Sequence, residues 1–161
     1  MNTSSINEIK YENKSNSLIA FSGDSKILTQ EGWISLNKCS NKVIRCWNGT
    51  DYSFISVKPS LTNQPLFEVK LNDERTLLCS LYVEFLYFNK LSIKLKDIIK
   101  KKQKHEIQQI SIYTNKIDSL STFEFVNMIS VKLYKNNKQT FNVSSINCNH
   151  NIYIDNVLIT V

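Results

Sequence analysis

The chain has 161 residues, with Lys+Arg 20 against Asp+Glu 14 and a formal charge of +6. That length suits one domain with a loose tail, and a hydrophobic content of 42% excludes a chain that is disordered throughout. Nowhere does an apolar run approach the roughly 18 residues needed to span a bilayer, so no membrane helix is expected.

Residues 1–17, MNTSSINEIKYENKSNS, carry few large apolar groups and no apolar core segment. They read as a flexible arm rather than a secretory signal, so a non-secreted, cytoplasmic or nuclear protein is expected. Cys39, Cys46, Cys79 and Cys148 are far apart in sequence, with no C-x-x-C pair. They read as reduced thiols, and no metal site or cofactor is expected. The cationic residues are 18 Lys against 2 Arg, in a chain that also holds 19 Asn and 19 Ile. Lys, Asn and Ile share AT-rich codons, so an AT-rich genome accounts for much of the positive charge. Lys also lacks the planar fork that grips phosphates and bases bidentately.

From Leu18 onward the pattern changes to short apolar runs separated by turn residues. Lys26–Thr29 and Trp33–Leu36 flank a turn at Glu31-Gly32. Lys42–Trp47 and Asp51–Val57 flank Asn48-Gly49, the strongest short hairpin signal in the chain. Leu66–Leu71 alternates with period two, turns at Asn72-Asp73 and returns through Thr76–Cys79. Val83–Phe88 and Leu91–Leu95 flank Asn89-Lys90. Leu95 to Lys104 suits a short helix with Ile98 and Ile99 on its apolar side. Residues 107–113 and 123–134 are β-prone, and Asn136-Asn137 predicts a hairpin between Ile129–Tyr134 and Thr140–Val143. Ile152 to Val161 reads as a closing β-branched strand. Many short strands with little helix predict an all-β domain over residues 18–161. Trp33, Trp47, Phe67, Phe85 and Phe141 are the expected aromatic core.

Four segments, in order, resemble the motifs of the Hint family, the hedgehog and intein autoprocessing domains. Ala20-Phe-Ser-Gly-Asp-Ser, with its following apolar strand and Gly32-Trp33, is similar to the amino-terminal block Cys-Leu-Ser-Gly-Asp-Thr, apolar strand, Gly-aromatic. Val69 to Phe85 is similar to the family's strand, Asp-Gly turn and Thr-Pro-x-His-x-Phe segment. Thr140-Phe-Asn-Val143 stands where the family has an apolar-Tyr-Asp-Leu strand. His150 to Val161 resembles the carboxy-terminal block of His-Asn-Phe, apolar pair, Asn-Gly turn, apolar strand and His-Asn. The resemblance implies a horseshoe of short, pseudo-two-fold related β-hairpins and meanders, with the spacing of a mini-intein that has no inserted endonuclease. It also implies a host setting among nucleotide-metabolism and replication proteins of large DNA viruses and microbes, such as ribonucleotide reductase large subunits. For a viral protein the compartment is the host cytoplasm.

In that family a thiol or hydroxyl attacks the preceding peptide carbonyl, a His protonates the leaving amide nitrogen, and a Thr or Ser holds the scissile peptide. A terminal Asn, helped by the His before it, then cyclises. The resemblance places Ala20 at the nucleophile, Ser80 at the Thr, and Val83 at the proton-donating His. Asn142 falls at the third-block Asp, Thr160 at the penultimate His and Val161 at the terminal Asn. His150 keeps its residue type. Nucleophile, proton donor and cyclising Asn are all replaced, and groups that act together leave little activity when several are lost. Cys148 is the one thiol close enough in sequence to the third block to be weighed as a surrogate, and Cys79 reads as core. Ser22 and Ser25 read as turn-capping hydroxyls and Asp24 as a tight-turn residue.

A degenerate domain that has lost splicing, retained as a remnant or as a scaffold for a protein partner, is therefore the expected function, in a monomer. Two alternatives stand beside it. One is slow self-cleavage at Ile19-Ala20. The other is a polyanion-binding module built on Lys100, Lys101, Lys102 and Lys104. Aromatic residues that would stack bases are missing beside that run, His105 reads as a solvated neighbour, and nucleic acid is not an expected partner.

Overall fold

The computed structural model describes residues 19–87, 91–100, 107, 110–116, 119–135, 138–146 and 151–161. The expected all-β reading holds. The first strands are β1 (Ala20–Ser22), β2 (Lys26–Thr29), β3 (Gly32–Ser35), β4 (Lys42–Trp47) and β5 (Tyr52–Pro59). They continue with β6 (Phe67–Leu71), β7 (Thr76–Cys79), β8 (Glu84–Tyr87) and β9 (Leu91–Lys94). After a short helix, Leu95–Ile99, come β10 (Ser111–Lys116), β11 (Ser119–Leu133), β12 (Thr140–Ser145), β13 (Asn151–Ile154) and β14 (Val157–Thr160). The paired strands are antiparallel and form one continuous 14-stranded sheet, in the order β13-β14-β8-β10-β11-β6-β7-β1-β12-β5-β4-β2-β3 with β9 beside β8.

Continuity depends on β11. Its first part pairs with β10 from Ser111↔Asn127 outward, and its last part pairs with β6 from Met128↔Leu71 to Leu133↔Phe67. The register slips between Met128 and Ser130, the kind of irregularity that lets one strand bend from one partner to another. At the middle of the order sits β1, the shortest strand, with β7 on one side and β12 on the other. All three of its residues are buried. A strand covered on both faces has no reason to alternate, and Ala-Phe-Ser does not. The largest fully buried side chains include Phe21 on β1 and Phe85 on β8, within one apolar cluster that also holds Ile27, Leu36, Ile55 and Ile159.

Several local expectations are corrected. Leu36 leaves β3 and opens a 3₁₀ turn, Leu36–Cys39, because its N–H and that of Asn37 are taken by the carbonyls of Ser25 and Gly23. The turn after β2 is centred one residue earlier than expected, with Gly32 at φ +115 as the first residue of β3. Asn48-Gly49 lies in a longer turn over residues 48–51, where the Asn48 Oδ1 accepts the N–H groups of Thr50 and Asp51. The helix ends at Ile99, and Lys101, Lys102, Lys104 and His105 lie outside the described residues. β10 starts at Ser111, after a turn in which the Ile110 N–H bonds the Ile107 carbonyl.

The expected hairpin across Asn136-Asn137 does not form. β11 pairs with β10 and β6, whereas β12 pairs with β1 and β5. The turn residues themselves are outside the described set, and burial of Thr140, Phe141 and Val143 decides where β12 goes. The closing strand is two strands. Asp155 and Asn156 both have positive φ, 50° and 65°, which is the backbone of a tight hairpin turn that Asp and Asn tolerate. Trp33 is not core but 44% exposed.

Gly49 shows how closely the last hairpin lies against the first half of the chain. Its φ is +106, and a Cβ there would sit 2.9 Å from the Tyr153 ring. Gly49→Ala is therefore expected to cost about 1–3 kcal/mol in backbone strain and crowding, read as a lower urea midpoint. An unchanged midpoint would show that the turn and Tyr153 do not meet in solution.

Candidate functional site

The site begins with the backbone at the start of β1. The Ala20 N–H donates to Ser80 Oγ at 3.0 Å, and the Ser80 N–H donates to the Ala20 carbonyl at 2.9 Å. The Ile19 carbonyl accepts the Val143 N–H at 3.4 Å. Both polar atoms of the Ile19–Ala20 peptide are thus held, the oxygen from β12 and the N–H from the residue that follows β7. Ala20 and Ser80 are almost wholly buried, so these bonds satisfy groups that water does not reach.

Asn142 lies directly opposite Ala20 in the β1–β12 ladder, which puts the two side chains on one face of the sheet. Its Oδ1 accepts the Ser60 hydroxyl at 2.9 Å. On the other side, the chain turns after Ser80, with the Val83 N–H reaching the Ser80 carbonyl at 3.4 Å and the Val83 carbonyl taken by Leu95 N–H. Val83 is fully buried. Glu84 then opens β8 and pairs with Thr160 of β14. The Thr160 hydroxyl bonds the Asn151 Oδ1 at 3.3 Å, and Val161 lies against the apolar cluster.

The structure therefore places Ala20, Ser80 and Asn142 together and puts Thr160 beside Glu84, one residue after Val83. Segment 80–84 joins the first strand to the last. His150 and Cys148 lie outside the described residues.

None of Ala20, Ser80, Val83, Asn142, Thr160 and Val161 carries a group that gains or loses a proton near neutral pH. Ser80 Oγ is engaged as the acceptor of the Ala20 N–H. The three thiols among the described residues are buried. Cys79 faces Phe21 and Phe67 across the ladders, and complete burial pushes its thiol far above the usual range. Burial, with Cys39 beside it, pushes Cys46 up to about 12. Cys39 is raised by burial and partly offset by Lys42. All three are free and protonated at neutral pH, which removes the thiolate that a nucleophile requires.

Ser22 and Asp24 behave as the turn residues expected. The Ser22 Oγ accepts the Asp24 N–H at 3.3 Å, and Asp24 points outward to Lys138 at 2.8 Å. Exposed Lys100 is near Asp97, at 3.8 Å. Among the described residues no cluster of His, Cys, Asp and Glu is arranged to hold a metal, and no helix is long and apolar enough to cross a membrane.

Two polar centres were not singled out from sequence. Arg75 donates through Nε to Asp73 at 2.7 Å and through its terminal nitrogen to Thr114 at 2.9 Å and Glu124 at 3.4 Å. It ties the β6–β7 turn to β10 and β11. Burial acts to raise the Asp73 carboxyl, but the bonds from Arg75 outweigh it and hold the carboxyl below its usual range. An arginine among so many lysines was the available signal, since its fork can serve several acceptors at once. The second is Asp155, whose Oδ1 accepts the Lys26 N–H at 2.9 Å.

No family model matches the sequence. Solved structures do match its shape. A DnaB intein from Synechocystis sp. superposes with a TM-score of 0.67 at 14% identity, over 89% of this chain and 98% of that one. The gp41-1 intein gives 0.68 at 13% identity, over 89% and 98%. The TvoVMA intein gives 0.66 at 13% identity, over 88% and 97%. The chain thus has the Hint, intein-like fold, with no endonuclease domain interrupting it. In sequence, 57 residues are 33% identical to part of the ribonucleoside-diphosphate reductase large subunit of Invertebrate iridescent virus 6. That match spans 35% of this chain and 6% of the viral protein.

Ser80→Ala leaves the buried Ala20 N–H without its acceptor and is expected to cost about 1–3 kcal/mol, measured by urea unfolding. A loss below about 0.5 kcal/mol would mean that Ser80 does not hold the peptide. Cys39, Cys46 and Cys79 are expected to resist a thiol-modifying disulfide reagent at pH 8 in the folded protein and to react in urea. Prompt reaction of any of the three in the folded protein would contradict the burial described.

Proposed function

We propose that this chain is an intein-like Hint domain that no longer splices and persists as a remnant or as a scaffold that meets a protein partner. The observation that carries the reading is the Ile19–Ala20 peptide. It is gripped at both its oxygen and its N–H, yet the residue after it has no atom able to attack. The family resemblance assigns the nucleophile to Ala20, the proton donor to Val83 and the cyclising residue to Val161. Each of these is now a hydrocarbon side chain. Ser80 retains the holding role. Asn142 and Thr160 replace groups that can exchange a proton with ones that cannot, and His150 alone keeps its family type.

The similarity to a viral ribonucleoside-diphosphate reductase large subunit supports descent from an element inserted in a protein of that kind. Such an origin would fit the AT-biased composition and a location in the cytoplasm of a host cell. The domain is a monomer in this reading, with residues 1–17 as an arm before it.

An intact-mass time course on the purified chain, with and without added thiol, tests the loss of activity. The 18.7 kDa species is expected to persist unchanged. Release of residues 1–19 would show that cleavage survives. The retained frame is tested by rebuilding chemistry. Ala20→Cys alone is expected to stay intact, whereas Ala20→Cys with Val83→His is expected to release residues 1–19 when thiol is added. Failure of a folded double variant to respond would mean that the frame no longer presents the peptide for attack.

A further inference from the structure

The sheet face that carries Ala20 continues across β12, β5 and β4, and the pairing register sets its rows. Asn142 and Lys58 lie in the row of Ala20. Ser144, Ser56 and Val43 form the next row. Ile146, Phe54 and Arg45 form the one after, where the Ile146 N–H donates to the Phe54 carbonyl at 3.2 Å. Tyr52 and Trp47 end the face, edge to face with ring centroids 5.4 Å apart. Side chains paired across a ladder share a face, so these rows are one surface. Ala20 is covered, but beyond it the surface opens. Val43 is 60% exposed, Phe54 41% and Ile146 51%. Single exposed apolar residues are ordinary, whereas three on neighbouring strands of one face mark a place where something docks. The Arg45 guanidinium lies over the Phe54 ring at 5.5 Å, Lys58 is exposed, and these rows hold no carboxylate.

We infer that this face is the docking surface for residues 8–12 of the same chain, Glu-Ile-Lys-Tyr-Glu, with Ile9 and Tyr11 laid against Phe54 and Ile146. The inference uses the fold and this face alone, and holds whether or not the domain has lost splicing.

The direction of β1 aims the preceding chain at the face. Ala20 pairs with Asn142 and Ser22 with Thr140, and the Ile19 carbonyl accepts the Val143 N–H. The chain before Ile19 therefore leaves alongside β12 toward Ser145 and Ile146. From Ile19 to Phe54 is about 10 Å along the strands and about 10 Å across two strand spacings, roughly 14 Å in all. Residues 12–18 span up to about 23 Å when extended, so Tyr11 reaches Phe54 with slack. From Glu8 to Lys14, charged residues alternate with Ile9, Tyr11 and Asn13, the period of a strand that is apolar on one side. Glu8 and Glu12 bring carboxylates to a face whose own charges are Arg45 and Lys58. A second copy of the chain could reach the same apolar groups only by making the contact depend on concentration.

The test is NMR on the full chain. In the wild type, the Tyr11 ring protons are expected to show cross-relaxation with the Phe54 ring and the Ile146 methyl groups at every protein concentration. Ile9→Ser with Tyr11→Ser changes no residue of the sheet. It is expected to move the amide shifts of Val43, Arg45, Phe54 and Ile146 while leaving those of β6 and β7 in place. Absence of the wild-type contact, or unmoved shifts in the double variant, would overturn the docking. A contact seen only between differently labelled copies would overturn it too, and would give the face to a dimer. Trypsin supplies an independent readout. Cleavage after Lys10 is expected to be about tenfold slower in the wild type than in Phe54→Ser, because proteolysis follows the population of the undocked form and the cut sequence is the same in both. Equal rates would contradict the inference.

Discussion

Two hydrogen bonds between Ala20 and Ser80 set the geometry on which the rest of the site depends. β1 is too short to fix itself by pairing alone, and it lies where a misplaced backbone would leave polar groups buried and unpaired. Ser80 resolves this with its side chain and its own N–H together. The same residue opens the turn to Val83 and so sets where β8 begins. Because β8 carries β14, the placement of the end of the chain follows from the contact made at the start of β1. Asp155 and Lys26 join the two parts of the chain again at a more exposed position.

On the reading proposed above, in which the frame outlasts its chemistry, this arrangement supplies the physical reason. The bonds that hold the Ile19–Ala20 peptide come from backbone groups and from one hydroxyl. Neither kind depends on a thiol at position 20 or an imidazole at position 83. Burial gives Ala20 and Val83 a physical advantage there, since a buried thiol or imidazole needs a partner and a hydrocarbon does not. In the reading proposed above, losing the reactive groups therefore cost the fold little. Losing Ser80 would have cost it more.

Much of the architecture could be read from the chain because hairpins are local. Period-two alternation and turn residues located β2–β3, β4–β5 and β6–β7. What escaped was decided at long range. Asn136-Asn137 looked like a turn between neighbours, yet β12 found β1 and β5 because its buried residues fit between them. Asp155 and Asn156 broke a strand that the residue pattern alone made continuous, at the place where the family resemblance has its Asn-Gly turn. Trp33 looked like core by residue type and lies at a cavity rim, since β3 is the last strand of the sheet order. Of the residues that the family resemblance singled out, Ala20, Ser80 and Asn142 lie together in the structure. The hold of the Ser80 hydroxyl on the Ile19–Ala20 peptide is what the family resemblance implied, whereas the return bond from the Ser80 N–H to the Ala20 carbonyl left no mark in the sequence, because it is backbone. The role of Ser60 against Asn142 was equally silent, its two members being 82 residues apart.

The most direct test of this account is the exchange rate of the Ala20 amide proton, measured by NMR on the intact chain under native conditions. If Ser80 holds it as described, the Ala20 amide exchanges only with global unfolding, alongside amides such as that of Phe21 in the central strand. If it exchanges orders of magnitude faster than those neighbours while the sheet stays folded, the peptide is not held and the account is wrong at its base.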